Sequence, residues 1–280
     1  MPKILELVDS SRPAFDERPY RPVRTTVWLP ESAGRHPVVL ISHGTGGQAA
    51  HLAWLASALN DSGIAALGVD HHGNNGREPY RADGFARQWE RPRDLTFALD
   101  QLLESEISER IDGQRVGAAG FSLGGYTVAA LLGARIDPDV LLGIYERRVP
   151  DQRMPEYPDL LDELRASITD PDRWLDGAGD SWRDDRVRAG FLMAPSILGL
   201  LDLASVAGID RPVEIRWGEA DDNTAPPENA LRYLELIPGA HGRPVGEGIG
   251  HYEFIHPDGD GAAICAEAGA EAVAFFRDQL

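Results

Sequence analysis

The sequence predicts an α/β protein with a mostly parallel sheet that helices cover on both faces. Short apolar runs alternate with amphipathic segments along most of the chain, which is typical of strands buried on both faces. One of these runs ends in a Gly-x-Ser-x-Gly turn followed by a helix-forming segment. The chain has no internal repeat and no low-complexity linker. Residues 1–280 are therefore expected to form a single domain.

The composition restricts the partners of this domain. The 280 residues are 42% hydrophobic and 26% charged, enough for a sizeable core. A net charge of −18 argues against nucleic acid or an anionic membrane as partner. The single cysteine, Cys265, excludes an intrachain disulfide and a multi-cysteine metal site. No signal-peptide pattern and no membrane-spanning apolar run occurs, so we expect a cytoplasmic protein.

The N-terminal half predicts an irregular start followed by alternating strands and helices. The proline-rich residues 1–22 are expected to lie along the surface of the domain without regular structure. The predicted strands are 23–29 as an edge strand, 37–42 and 64–69, and the predicted helices are 48–62 and 92–104.

Polar loops follow two of these strands. Residues 43–47 form a glycine-rich turn in which Thr45 is the candidate for one oxyanion N–H donor, although a plain connecting turn has the same composition. His43 is expected to make structural hydrogen bonds there. His71 and His72 invite interpretation as a metal site, but neighbouring side chains diverge and no second ligand cluster is present. We expect no metal and no cofactor, and a rigid loop near the site.

The Gly-x-Ser-x-Gly turn predicts a nucleophile elbow centred on Ser122. Gly120 and Gly124 leave room where a Cβ would meet the neighbouring strand or helix. The helix that follows offers unpaired N–H groups, and that of Leu123 is the candidate for the other oxyanion donor. The alternative is a glycine-rich packing turn without a catalytic role.

The C-terminal half predicts an insertion and then the remaining strands. Residues 136–185 are irregular and charged, with a helix at 158–168, and are expected to form a cap over the site; a surface excursion is the alternative. Buried strands are predicted at 187–193 and 212–217, and a last strand at about 243–247.

A serine nucleophile needs a base and an orienting acid that follow it in the sequence. His251 follows the last predicted strand in a flexible turn, whereas His241 precedes that strand and His256 is expected at the surface. The loop after strand 212–217 offers two adjacent acids, Asp221 and Asp222, of which only one can face the imidazole because consecutive side chains diverge.

Five segments between residues 37 and 256 together match one family pattern: Ser42-His43-Gly44-Thr45-Gly46-Gly47, Asp70-His71-His72-Gly73-Asn74, Gly120-Phe121-Ser122-Leu123-Gly124-Gly125, Asp222-Asn223-Thr224-Ala225-Pro226 and Gly250-His251-Tyr252-Glu253-Phe254. On these segments the sequence resembles the serine α/β-hydrolases of the dienelactone-hydrolase-like and platelet-activating-factor-acetylhydrolase-like group, which are close to the cutinase-type polyesterases.

The resemblance implies the α/β-hydrolase fold and its site residues. The family places its acid at the first position of an Asp-x-x-x-Pro run, which selects Asp222 over Asp221. It also implies that the N–H groups of Thr45 and Leu123 form the oxyanion hole. Dienelactone hydrolases themselves carry a cysteine nucleophile where this sequence has Ser122.

We therefore expect a cofactor-free serine esterase that acts on a small-molecule ester through Ser122, His251 and Asp222 and an acyl-enzyme intermediate. Amide hydrolysis or acyl transfer by the same machinery is the alternative within enzymes. The alternative to an enzyme is a non-catalytic relative that binds a ligand. Such a protein would be expected to lack a residue of the triad. The substrate and the oligomeric state stay open.

Overall fold

A single twisted sheet organises the chain in a computed structural model that describes residues 2–150, 154, 156–259 and 261–280. Its strand order is β1-β2-β4-β3-β5-β6-β7-β8, with parallel pairing from β4 to β8. The strands are β1 (Lys3–Asp9), β2 (Arg21–Trp28), β3 (His36–Ser42), β4 (Ala65–Asp70), β5 (Ile111–Phe121), β6 (Val187–Met193), β7 (Val213–Trp217) and β8 (His241–Pro244). The predicted mostly parallel sheet and α/β-hydrolase fold are confirmed.

The N-terminal segment is the main correction to the predicted fold. Residues within 1–22 form β1, which pairs antiparallel with β2 at the edge of the sheet, so β2 is not the edge strand. Ile4 and Val8 are 50% and 57% exposed. Because β1 buries little apolar surface, its sequence lacks the clear alternation that identifies half-buried strands.

Helices cover both faces of the sheet, as predicted. In the described ranges, each helix is too short or too polar to cross a lipid bilayer. The helices are α1 (Ala53–Asp61), α2 (Ala82–Ala86), α3 (Glu90–Glu104), α4 (Leu123–Leu131), α5 (Pro138–Tyr145), α6 (Leu160–Ser167), α7 (Pro171–Trp174), α8 (Leu203–Ala207), α9 (Ala230–Leu236) and α10 (Ala262–Gln279). The last of these, α10, is not among the predicted elements.

Alternating side chains of the central strands divide the core into two layers. In β3, Val38 and Leu40 pack into the layer with α3 and α4, and Val39 and Ile41 pack into the layer with α1 and α10. All four residues are fully buried, because successive side chains of a strand point to opposite faces and both faces are covered.

The carboxyl ends of β3, β5, β6 and β7 lie at one edge of the sheet, where α/β folds place their sites. The last strand begins at His241 rather than near residue 243. His241 therefore stands at the amino end of β8, on the edge opposite to the site, and His256 is exposed as expected.

The segment 136–185 carries α5, α6 and α7 over the carboxyl edge; its residues 151–153 and 155 lie outside the described part of the chain. Ile144, Leu160, Leu164 and Trp174 are buried in the same core layer as α3 and α4. The predicted helix is present as α6, and α5 and α7 are additional. Apolar contact with the main core is consistent with a cap, which stays a prediction.

The elbow between β5 and α4 depends on close backbone packing. A Cβ on Gly124 would overlap the carbonyl oxygen of Ser42 and come within 2.9 Å of that of His43. A Cβ on Gly120 would overlap the carbonyl oxygen of Gly124. Backbone atoms cannot yield as a flexible side chain can, so only glycine fits at either position.

We expect Gly124→Ala to destabilise the protein by at least about 2 kcal/mol, because the backbone must shift to admit the methyl group. Gly248→Ala is the matched control, since no atom lies within 4 Å of its added Cβ and its φ is not positive. Its free energy of unfolding should change by less than about 1 kcal/mol. Urea unfolding of both variants measures the difference, and equal losses would contradict the packing argument.

Candidate active site

Ser122 is held in a strained turn at the carboxyl end of β5. Its φ of 56° and ψ of −118° are unfavourable for a residue with a Cβ. Its N–H donates to the carbonyl oxygen of Met193 at 2.9 Å, which ties the turn to β6. Leu123 begins α4 directly after it. The predicted strand, turn and helix of a nucleophile elbow are thus all present.

His251 lies against Ser122. Its Nε2 is 3.0 Å from Ser122 Oγ, and its side chain is 2% exposed. The rings of Phe121 and Tyr252 contact it with centroid distances of 4.8 and 5.1 Å. These contacts restrict the imidazole to an orientation in which Nε2 faces the serine hydroxyl. The two residues predicted as nucleophile and base are brought together.

The acid beside His251 is Asp221 rather than the predicted Asp222. His251 Nδ1 is 2.7 Å from Asp221 Oδ2, and the Asp221 side chain is fully buried. Asp222 is exposed and makes no hydrogen bond to the imidazole among the described contacts. The prediction of Asp222 as the residue that faces His251 is wrong by one position.

The turn after β7 explains the correction. Asp221 Oδ1 accepts the N–H groups of Asn223 at 3.0 Å and Thr224 at 2.7 Å, and Oδ2 accepts the Thr224 hydroxyl at 2.8 Å. An aspartate that caps its own turn in this way points inward, and its neighbour then points to solvent. The spacing Asp221-x-x-Thr224 is the signal in the sequence that could have identified this acid.

Two loops hold the acid and base together. The N–H groups of Glu219 and Ala220 donate to the carbonyl oxygens of Gly246 and Ile249 at 3.1 and 2.9 Å. A Cβ on Gly218 would overlap the Ile249 carbonyl oxygen, so the two loops are in direct backbone contact. This contact sets the distance between Asp221 and His251.

The pKa of Asp221 lies below its ordinary value. Burial raises that pKa, but the hydrogen bond and charge of His251, with the hydrogen bonds from Thr224, outweigh burial and lower it. The carboxylate is therefore ionised near neutral pH, as it must be to stabilise an imidazolium.

Thr45 and Leu123 supply backbone N–H groups beside the nucleophile. Leu123 is the first residue of α4, so its N–H has no partner within the helix. Two cavities open at this edge of the sheet, and Thr45 and Ser122 line each of them. Neither N–H donates to a protein acceptor among the described residues. Both groups are therefore available to an oxygen atom of a bound molecule.

A buried network supports the loop that carries Thr45. His71 Nδ1 lies 3.0 Å from Asp94 Oδ2, and its Nε2 lies 3.0 Å from Ser42 Oγ. Arg21 forms two hydrogen bonds to Asp94, at 2.6 and 2.9 Å. The carboxylate accepts the Nδ1–H of His71, so Nε2 accepts the Ser42 hydroxyl. The network joins β2, β3 and α3 beneath the site.

The same network contacts the backbone of the turn. Arg91, fully buried on α3, donates to the His43 carbonyl oxygen and to Ser42 Oγ. His43 Nε2 accepts the N–H of His71 at 3.1 Å, and its Nδ1 lies 2.6 Å from the carbonyl oxygen of Gly44. His43 thus makes the structural hydrogen bonds predicted for it. These contacts define the path of the backbone that leads to Thr45.

His72 points away from His71, as predicted for adjacent residues. Its Nδ1, the Asp16 carboxylate and the Glu78 carboxylate lie close enough together to hold a metal ion. However, His72 Nε2 accepts the Phe15 N–H at 2.9 Å, so Nδ1 carries the proton and donates to Glu78 at 2.7 Å. Arg18 also donates to both carboxylates. The proton on His72 Nδ1 and the guanidinium of Arg18 thus bind the groups that could have been metal ligands. The cluster is therefore an ion-pair network.

Comparisons with known proteins agree with the fold. Residues 24–140 match the family model described as PETase, PET hydrolase-like. A solved ferulic acid esterase from Streptomyces cinnamoneus superposes with a TM-score of 0.67 at 19% identity, covering 100% of this chain and 89% of that one. No curated protein matches the sequence. In all, 1021 chains of solved structures match, so the fold by itself selects no substrate.

The sheet and the elbow define the class of fold: the chain has the α/β-hydrolase fold, with a serine in the turn between β5 and α4. Residues 24–140 are similar to the PET hydrolase-like family, as the resemblance implied, and this match supports a carboxylic-ester hydrolase.

We expect the stability of the protein to fall as the pH drops below about 6.5, the pKa of an unfolded histidine. Burial, and then the charge of Arg91, lower the pKa of His71 to about 3 against the opposing effect of Asp94. Between these two values the unfolded chain binds a proton that the folded chain does not. The free energy of unfolding should therefore decrease by up to about 1.4 kcal/mol per pH unit for this residue.

Urea unfolding between pH 7.5 and pH 4.5 measures this slope. His71→Asn should flatten it by close to one proton, because asparagine cannot take up the proton that the unfolded histidine binds. A His71→Asn slope equal to that of the parent protein would contradict the assignment of a neutral buried imidazole.

Proposed function

We propose that the protein hydrolyses carboxylic esters by attack of Ser122 on the acyl carbon. The observation that carries the proposal is the alignment of Ser122, His251 and Asp221, with contacts of 3.0 Å and 2.7 Å on either side of one imidazole. A hydroxyl becomes a useful nucleophile only when a positioned base removes its proton, and this arrangement provides one.

His251 moves the proton in both halves of the reaction. Nε2 takes the proton from Ser122 Oγ as the bond to the acyl carbon forms, and then gives it to the departing alkoxide. Water then attacks the acyl-enzyme, His251 again takes and returns the proton, and the carboxylic acid is released from Ser122. Asp221 holds the Nδ1–H tautomer and stabilises the imidazolium with its charge.

The N–H groups of Thr45 and Leu123 are proposed to hold the oxyanion of each tetrahedral intermediate. Their availability beside Ser122 and the support of the turn by Arg91 favour this role. Donors that are already oriented need no reorganisation when the negative charge develops, which lowers the barrier.

The remaining parts of this proposal rest on the sequence. A small-molecule ester is the proposed partner, and a cytoplasmic location stays a prediction. Amides are the second substrate class that the same groups can attack. A pair of substrates that differ only in an ester or amide linkage separates the two activities, and we expect the ester to be cleaved faster.

Ser122→Ala should lower kcat by at least about 10⁴-fold, because it removes the hydroxyl that lies 3.0 Å from His251 Nε2. Steady-state hydrolysis of a short-chain ester measures the loss, and an unchanged unfolding curve shows that the variant is folded. A fluorophosphonate should label the parent protein at Ser122. Labelling of the alanine variant at the same rate would refute the assignment.

Asp221→Asn should lower kcat by about 10⁴-fold, because an amide favours the wrong imidazole tautomer and removes the charge that faces it. Asp222→Asn is the matched control on the adjacent, exposed residue, and its kcat should fall by less than about tenfold. Measuring both variants on one ester decides between the acids. A larger loss in the Asp222 variant would restore the assignment made from the family pattern.

A further inference from the structure

Two cavities of very different size meet at Ser122. The larger, of about 770 Å³, lies between the sheet edge and the segment 136–185. The smaller, of about 90 Å³, lies beside the turn that carries Gly44 and Gly47. Ser122 and Thr45 line both cavities. An ester carbonyl at Ser122 therefore has its two substituents in different cavities.

The position of His251 assigns the two cavities. The alkoxide that leaves must receive its proton from His251 Nε2, so the alcohol part of the ester has to lie on the imidazole side. His251 and Tyr252 border the smaller cavity, and the described wall of the larger one does not include them. The smaller cavity is thus the alcohol site, and the larger cavity is the acyl site.

The wall of the acyl site is mostly apolar. Leu141 and Ile144 of α5, Leu161 and Leu164 of α6, and Trp174 of α7 contribute to it. Burial of apolar surface against such side chains is favourable at about 25 cal/mol per Å². A volume of about 770 Å³ lies within the range of sites that enclose a bulky organic molecule.

Backbone strain beside the larger cavity also indicates that this cavity binds a ligand. Ile197 has φ 54° and ψ 22°, a left-handed conformation that is rare for a β-branched residue. It lines the larger cavity from the loop after β6. Strained residues cluster at functional sites, where their placement serves the ligand more than the fold.

The alcohol site is much smaller than the acyl site. Its volume of about 90 Å³ compares with about 770 Å³ for the larger cavity. A Cβ on Gly44 would lie 3.0 Å from the Phe121 ring and 3.2 Å from Ser122 Cβ, so the wall there is tightly packed. The smaller cavity is therefore suited to a short alcohol.

We propose that the preferred substrates are esters of a bulky apolar carboxylic acid with a short alcohol. This inference rests on the proposed function, because it requires that Ser122 and His251 act as nucleophile and proton donor. It adds the orientation of the ester and the class of each half of the substrate.

A pair of isomeric esters tests the orientation. Methyl 2-naphthylacetate places the bulky group in the acid, and 2-naphthylmethyl acetate places it in the alcohol; both release an alkyl alcohol. With kcat/KM corrected for the hydroxide-catalysed rate of each ester, we expect the first isomer to be preferred by at least about tenfold, equivalent to about 1.4 kcal/mol. Equal or reversed values would overturn the inference.

A substitution in the acyl site provides a second test. Leu161 is half-buried and lines the larger cavity, so Leu161→Trp should reduce its volume and lower the preference for methyl 2-naphthylacetate by about tenfold or more. Leu203→Trp is the control, because Leu203 is 43% exposed and lines neither cavity. Its preference should equal that of the parent protein. A Leu161→Trp preference that also equals the parent value would contradict the assigned acyl site.

Hydrolysis of ethyl acetate separates failure of the inference from failure of the proposed function. Turnover of ethyl acetate without turnover of either naphthyl ester would overturn the substrate class and leave the esterase intact. Absence of turnover on all three esters would remove the proposed function and the inference with it.

Discussion

The site depends on the contact between the glycines of the elbow and the backbone around them. Gly124 packs against the carbonyl oxygen of Ser42, and Gly120 packs against that of Gly124. This contact brings the amino end of α4, the strained Ser122 and the turn after β3 together. These backbone atoms define the position of Ser122. The contact between His251 and Ser122 depends on that position.

Polar groups buried beneath the site are the second requirement. The chain has a net charge of −18, yet its buried network is rich in cations. Arg12 and Arg21 both contact Asp94, and Arg91 donates to the turn after β3. Buried charges are tolerated only when they are paired and hydrogen-bonded. The network thereby gives a loop without regular secondary structure a defined conformation, which an oxyanion hole needs.

The fold and the substrate are determined by different parts of the chain. The ferulic acid esterase shares the fold at 19% identity, and a shared fold does not by itself determine a substrate. Most residues that line the larger cavity follow residue 140 in the chain, in α5, α6 and the segments after β6 and β7. These lining residues lie outside residues 24–140, which match the family model. The size of the acyl site therefore depends mostly on the part of the chain that does not match the family model.

Much of the fold and site follows from the sequence because each depends on local backbone requirements. Strand β6 has the predicted bounds 187–193, and Ser122 follows from a glycine pattern that few other turns require. His251 follows from chain order and from its position after the last strand. These features are encoded over a few adjacent residues, which is the range in which sequence patterns are informative.

Only the tertiary structure decided the features that depend on contacts between distant segments. The sequence limits the acid to Asp221 or Asp222, but the choice depends on the hydrogen bonds of Asp221 to its own turn and on packing of that turn against the loop before His251. Strand β1 was missed because it gains its hydrogen bonds from β2 and buries little apolar surface. The two cavities at Ser122 are formed by segments far apart in the chain, so no local pattern records their size.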